Sequence, residues 1–429
     1  VFAVCDVHRI FNWRGIDGTE VLTHFPPENT YNSELDTEFL VPAQSSFKEK
    51  DKLDEFISLF GVGNGGGGPK PENIELGQRM ANLENSPKVH FDTAKNFFDR
   101  LNQHKAKLET WVGELYLELH RGTLTTHGLV KKQNRKLEHK LRAVEVLWSC
   151  LDLNKYPSER LDALWKKVLL NQFHDIIPGS SINLVYQTTH KEYEEVHHGC
   201  NKLMDEASNL LFEKEEDSFV LANTLSYRWA GFIKLPLAFE GYSIIDEVGN
   251  NIPIQKSTLG YFMEVSLDPL AFHSFKKVEK LNLNIVLPTE LIIENSLIRY
   301  EFNKKGQMIS AFDKEMNKEV LIGEGNIFSL YEDIPNNWDA WDIDFFYRDA
   351  LVEIASAKNI KIVSDGDVLT QLEVQLTIGD STIEQIISLG NNSKRLDFQT
   401  KVEWNESHKM LRVHFPVNVV SDQATFDIQ

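Results

Sequence analysis

The hydrophobic period changes once along this chain, and that change limits the folds open to it. From about residue 91 to 213 the apolar side chains recur at helical spacing. Leu137, Leu141, Val144, Trp148 and Leu151 form one stripe, and Leu161, Leu164, Trp165, Val168 and Leu169 a second. Val196, Cys200, Leu203, Ala207 and Leu210 form a third. Each has the four-three spacing of a helix with one buried face. Three such helices in a row predict an up-down bundle. After about residue 217 the period falls to two. Leu372, Val374, Leu376 and Ile378 alternate with polar residues, as do Leu411, Val413, Phe415, Val417 and Val419. Ile298, Tyr300 and Phe302 lead into Lys304-Lys305-Gly306-Gln307, a hairpin signal. Many short strands in succession predict antiparallel β-sandwich domains.

Before residue 90 the pattern is mixed. WRGIDGTEVLTHF (Trp13 to Phe25) predicts a turn and a strand, and EKDKLDEFISLFG (Glu49 to Gly61) a helix closed by glycine. The resulting organisation is α+β and multidomain. It has an α/β segment at 1–90, the helical segment at 91–213, a small β domain at 214–280 and a sandwich at 281–429 that ends in mid-strand, at Ala424 to Gln429.

The formal charge is −19. A nucleic-acid binder normally presents a basic face, so that partner is not expected. No apolar run reaches the ~18 residues of a membrane span. The three cysteines, Cys5, Cys150 and Cys200, are far apart and form no CxxC pair. They fit a reducing compartment better than a disulfide scaffold.

Four segments carry residues suited to chemistry. GVGNGGGGPKP (Gly61 to Pro71) has four consecutive glycines. Pro69 precedes Lys70 and no Ser or Thr follows, so it is not a phosphate loop. It is either a flexible linker or a loop whose backbone approaches another group closely. GELYLELHRGTLTTHG (Gly113 to Gly128) places Glu114 and Glu118, and Tyr116 and His120, four residues apart. A solvated helix face explains that spacing. The crowding of Arg121 and the threonines suits hydroxyl-rich ligands. LLNQFHDIIPGSS (Leu169 to Ser181) runs from an apolar stretch into His174 and Asp175. One His-Asp step is far short of a zinc site, which takes three or four ligands. NNWDAWDIDFFY (Asn336 to Tyr347) holds two Trp-Asp pairs, which suit either a capped corner or stacking on sugar rings.

Together GIDGTEVLTHFPPENTYNS, GNGGGGP, WVGELYLELHRGTLTTH, LLNQFHDIIPGS and WDAWDID resemble glycoside hydrolase family 38, the class II α-mannosidases, in the cytosolic, bacterial and vacuolar branch. The first ten residues, VFAVCDVHRI, do not share the resemblance. It implies the remnant of a seven-stranded β/α barrel, a three-helix bundle and β-sandwich domains. It implies hydrolysis of α-mannosides with retention, through a covalent intermediate formed by a carboxylate nucleophile and an acid/base partner. Retaining geometry sets that pair about 5–5.5 Å apart. A zinc ion would bind sugar hydroxyls. It also implies homo-oligomers, which members often form, and a cytoplasmic location.

By the same resemblance His174 is a zinc ligand and Asp175 contacts substrate. Asn64 stands where relatives usually carry the acid/base aspartate. His120 and Arg121 line the sugar subsite. An amide cannot act as a carboxylic acid does, so Asn64 marks a departure. The remaining zinc ligands and the nucleophile are expected upstream of Val1, and this chain alone is expected to be inactive. A non-catalytic carbohydrate-binding module centred on Trp338 and Trp341, or a scaffold for oligomerisation, are the competing readings.

Overall fold

The computed structural model describes residues 8–63, 65–115 and 120–421. Asn64, Tyr116, Glu118, Cys5 and the stretch Ala424 to Gln429 lie outside the described residues. The chain divides into two compact units, residues 1–119 and 120–429.

In the first unit β1 (Ile10–Arg14) pairs antiparallel with β2 (Glu20–His24) and parallel with β3 (Thr110–Val112). The sheet order is β2-β1-β3. The Trp13 to Phe25 expectation of turn and strand is met, with Trp13 and Arg14 closing the strand before the turn. Helices α1 (Thr37–Ser46), α2 (Pro71–Arg79) and α3 (Ala94–Asn102) accompany the sheet. Asp36 caps α1 by accepting from Phe39 N–H, and Thr93 caps α3 by accepting from Asn96 N–H. Ile10, Phe47, Leu53, Phe97, Leu101 and Leu108 form the core. Three strands do not close a barrel, so the barrel assignment of residues 1–90 rests on resemblance alone.

Two expectations change here. Residues 49–61 form no helix. Lys52 and Leu53 both close back on the Glu49 carbonyl, and the chain then runs irregularly so that Phe56 and Ile57 reach the core. Burial overrides helix propensity over this short stretch. The helical segment also starts later than residue 91. Residues 94–112 belong to the first unit, because β3 supplies the parallel neighbour that β1 requires.

The second unit begins with α4 (Gly128–Ser149), α5 (Ser158–Asn171) and α6 (Asn183–Leu211). They pack around one core in which Leu137, Leu141, Val144, Val196, Leu203 and Ala207 are 0% exposed. Each leucine or valine buried in this way contributes roughly 1.5–3 kcal/mol. Trp148 donates its indole N–H to the Leu203 carbonyl across the bundle. The stripes are correct in their middles and fail at their ends. Leu169 is 56% exposed and Leu210 is 51% exposed.

The β-rich part follows in several sheets. The strands β4 (Ser218–Asn223), β5 (Trp229–Lys234), β6 (Tyr242–Ile245), β7 (Asn251–Ile252), β8 (Ile254–Ser257), β9 (Gly260–Leu267) and β10 (Ala271–Lys280) form two sheets, β4-β10-β6-β7 and β5-β9-β8. Met263, Ile244 and Phe275 are buried between them. Next come β11 (Ile292–Glu294), β12 (Ile298–Phe302), β13 (Met308–Asp313), β14 (Lys318–Glu319), β15 (Ile327–Glu332), β16 (Leu351–Ile354), β17 (Ser356–Ser364), β18 (Leu369–Ile378), β19 (Ser381–Gly390), β20 (Leu396–Glu403) and β21 (Lys409–His414). The expected hairpin joins β12 to β13 through the Asn303–Gln307 turn. The sheets β11-β12-β13-β14 and β17-β18-β19-β20 share a core holding Ile298, Phe302, Leu372, Val374 and Ile378. The alternation from Leu411 onward is not fully buried. β21 ends at His414, and Val417 is 44% exposed. Among the described residues no helix is long and apolar enough to cross a membrane.

Candidate functional site

Each unit gathers some of the segments singled out in the sequence. In the first, the glycine loop folds against the HFPPENTYNS segment. Gly63 donates its N–H to Asn32 Oδ1 at 2.8 Å. A Cβ at Gly63 would lie 2.3 Å from the Tyr31 ring, so the close-approach reading holds at this glycine. Lys70 follows the loop and reaches Glu34 at 3.3 Å. Asn73, buried at the start of α2, donates to the Glu34 carbonyl and accepts from Lys70 N–H. The loop is thus anchored at both ends on residues 31–34. Nearby in sequence, His24 is largely buried with its ring edge toward Phe97, and burial pushes its pKa down to about 4. Burial raises the pKa of Glu28, which accepts from the Ser58 hydroxyl.

In the second unit three segments meet. His120 has a left-handed backbone and leads into a short turn of 3₁₀ helix, Arg121–Leu124. Gly122 N–H donates to the Trp341 carbonyl at 2.9 Å, and the Thr126 hydroxyl contacts the Ala340 carbonyl at 3.1 Å. The His120 and Trp341 rings lie 4.9 Å apart. The third segment is the turn after α5. Lys131, on the first turn of α4, donates to the carbonyls of Thr126 and Ile177 together. Burial lowers the Lys131 pKa to about 8. His174 and Asp175 lie on this tethered turn. Tyr186 O–H donates to the Ile176 carbonyl and accepts from Ser181 N–H. Ser181 Oγ donates to the Asp175 carbonyl at 2.6 Å.

The local sequence explains the turn. α5 ends after Asn171, which spends its side-chain amide on the Lys167 carbonyl and the Glu192 carboxylate. The apolar run does not bury its own end: Leu170 is 60% and Phe173 53% exposed. His174 Nε2 stands 3.3 Å from Asp175 Oδ2, and their side chains are 74% and 50% exposed. The backbone is held on several sides while both functional groups stay open.

A zinc ion needs three or four ligands. Among the described residues no group of three His, Cys, Asp or Glu side chains is placed to hold a metal. His174 and Asp175 supply two adjacent donors, so the described residues do not by themselves fit a zinc site.

Sequence reasoning missed Lys131 and Tyr186, which hold the turn. The signal available was a lysine and a tyrosine facing one turn from the first turns of two helices. Trp338 and Trp341 divide between the two readings of their segment. Trp341 packs on His120 and accepts from Gly122, as a structural corner does. Trp338 is 68% exposed with φ +64°, and its carbonyl accepts from Trp341 and Asp342 N–H.

Matches to known proteins follow this geometry. Residues 6–114 match the glycosyl hydrolases family 38 N-terminal domain, 118–211 the alpha mannosidase middle domain, and 293–429 the glycosyl hydrolases family 38 C-terminal domain. Three consecutive domains of one family, in order, account for most of the chain, which belongs to glycoside hydrolase family 38. Alpha-mannosidase G of Dictyostelium discoideum is 32% identical over 98% of this chain and 43% of its own length. Alpha-mannosidase 2C1 of Homo sapiens is 32% identical over 98% of this chain and 41% of its own. The chain therefore spans about two fifths of these relatives. An alpha-mannosidase crystal structure from Enterococcus faecalis superposes with a TM-score of 0.71 at 17% identity, covering 97% of this chain and 58% of that one. That likeness supports the fold.

Proposed function

We propose that this chain contributes to a retaining α-mannosidase that acts on terminal α-D-mannosides. The observation that carries the reading is the meeting of the His120–Thr126, Phe173–Ser181 and Ala340–Trp341 segments, which holds His174 and Asp175 open on a braced turn. In this reading Asp175 accepts hydrogen bonds from sugar hydroxyls, and its carboxylate is well suited to a vicinal pair. His120, whose ring packs on Trp341, and Arg121, next to it in the chain, form the wall of the sugar subsite. By sequence resemblance alone, Asn64 stands in place of the acid/base aspartate, and an amide cannot supply that proton. His174 offers an imidazole nitrogen to zinc. Zinc, when bound, would polarise and orient hydroxyls. The described residues supply two of the three or four ligands that zinc takes.

The chain alone is proposed to be inactive, because a retaining mechanism needs a nucleophile and an acid/base partner. Cytoplasmic residence and homo-oligomerisation belong to the same proposal. The test is hydrolysis of an aryl α-mannoside by the chain, with zinc supplied and then chelated. No turnover, together with mannoside binding that Asp175→Asn weakens, is the expected result. Zinc-dependent turnover would show that carboxylates within the chain serve as nucleophile and acid, and would refute the inactivity. Mannoside binding indifferent to Asp175→Asn would refute the placement of the site.

A further inference from the structure

We infer that the seam between the β5-β9-β8 sheet and the β17-β18-β19-β20 sheet is a second saccharide site, independent of the His174 turn. The two sheets enclose a cleft of roughly 740 Å³, within the usual range for small-ligand sites, which favour such seams.

Its walls are preformed. Gln255 on β8 is 7% exposed and bonds across the seam with all of its polar atoms engaged. It donates to Ser364 Oγ and to the Leu369 carbonyl, each at 2.7 Å, and accepts from the N–H groups of Val368 and Leu369. Ser257 Oγ donates to the Val363 carbonyl beside it. Phe232 on β5 reaches across until its ring is 3.4 Å from where a Cβ on Gly390 would sit. A seam pinned this firmly on one side would be expected to zip shut. It stays open over Glu264, Asn392, Arg395, Asp397 and Gln399 instead.

The lining selects the ligand class. The floor is aromatic: half-buried Phe232 packs edge to face at 6.3 Å on Phe262, which is buried beneath it. The open part of the Phe232 ring can take the apolar C–H face of a pyranose. The rim is polar and partly unspent. Asn392 Nδ2 donates to Glu264 Oε1 at 2.8 Å, which bridges the two sheets. Among the described residues the second Glu264 oxygen, the Asn392 side-chain carbonyl and the Gln399 amide have no partner. Arg395 and Asp397 face each other through two contacts, at 2.9 and 3.2 Å. The charged lining, Lys234 and Arg395 against Glu264 and Asp397, sums to zero. There is no field to draw an ion, while planar acceptors and donors stand over rings. A neutral ligand with vicinal hydroxyls fits that set.

The test is calorimetric titration of the chain with α-linked mannotriose and, separately, maltotriose. The variants are Asn392→Ala, Gln399→Ala and Asp175→Asn, each checked for an unchanged melting temperature. Arg395→Ala replaces any variant that melts early, since Arg395 is exposed. The expected result is binding of at least one trisaccharide that weakens tenfold or more in Asn392→Ala and Gln399→Ala and persists in Asp175→Asn. The inference is overturned if neither trisaccharide binds. It is equally overturned if binding is lost only in Asp175→Asn, an outcome that would leave the proposed mannosidase site standing.

Discussion

His127 lies nearly flat on Tyr186, with ring centroids 4.0 Å apart and planes 18° from parallel. The stack joins the start of α4 to the start of α6, and the Tyr186 hydroxyl then reaches down to the His174–Asp175 turn. Tyr186→Phe keeps the stack and removes only the hydroxyl. The Ile176 carbonyl and Ser181 N–H lose a partner, at about 1–3 kcal/mol if they stay buried. The expected outcome is a lower melting temperature and faster proteolysis between residues 172 and 182, measured on the same preparation.

Lys131→Met tests the other tether. A methionine fills much of the same space but donates nothing to the Thr126 and Ile177 carbonyls. Hydrogen exchange of the turn should quicken, and affinity for a mannoside should fall, while the exchange of the distant β18–β19 pairing stays as it was. Unchanged exchange in the turn would mean that Lys131 does not hold it.

A paired glycine substitution separates packing from helix propensity. A Cβ on Gly122 would sit 3.1 Å from backbone atoms of Ala340, Trp341 and Asp342, which cannot swing aside. Gly122→Ala should cost about 1–3 kcal/mol, as overpacking does. Gly128 opens α4 and has nothing within 4 Å of its would-be Cβ. Gly128→Ala should be neutral or stabilising by up to about 1 kcal/mol. Chemical denaturation of the two variants decides.

His24 predicts an acid-sensitive first unit. Its folded pKa of about 4 lies below the ordinary 6.5, because burial disfavours the charged ring. The folded state binds fewer protons than the unfolded one between those values. The stability it confers is complete above pH 6.5 and is lost as pH falls through 6.5 toward 4. His24→Gln should flatten the pH dependence in that window, followed by hydrogen exchange of the β1–β2 pairing.

The bundle stripes and the alternating strands were legible because packing repeats with the period of each element, as at Leu137, Leu141 and Val144 or Leu372, Val374 and Leu376. The ends were not, since Leu169 and Leu210 keep the helical phase of their stripes yet stand more than half exposed. The 49–61 segment misled because Leu53, Phe56 and Ile57 fit a helical face as well as they fit an irregular run onto a core. Of the candidate site, His174, Asp175, His120 and Arg121 were visible as motifs, yet periodicity says nothing of which loops meet. Lys131 and Tyr186 were hidden because their work is done through backbone carbonyls and amides, which have no signature in the side-chain sequence.

The Thr126 hydroxyl and the Ala340 carbonyl are 214 residues apart along the chain. Loop-closure entropy and high contact order place such a bond among the last to form in folding. The bundle can condense from local contacts long before the Ala340–Trp341 corner arrives. The His174 turn can therefore be braced on the bundle side by Lys131 and Tyr186 while its other wall is still missing. On the proposed reading, mannoside binding at this turn would then report that the helical and β-rich parts of the second unit have both finished folding, and a chain arrested between those stages would be compact and helical but would not bind mannoside there.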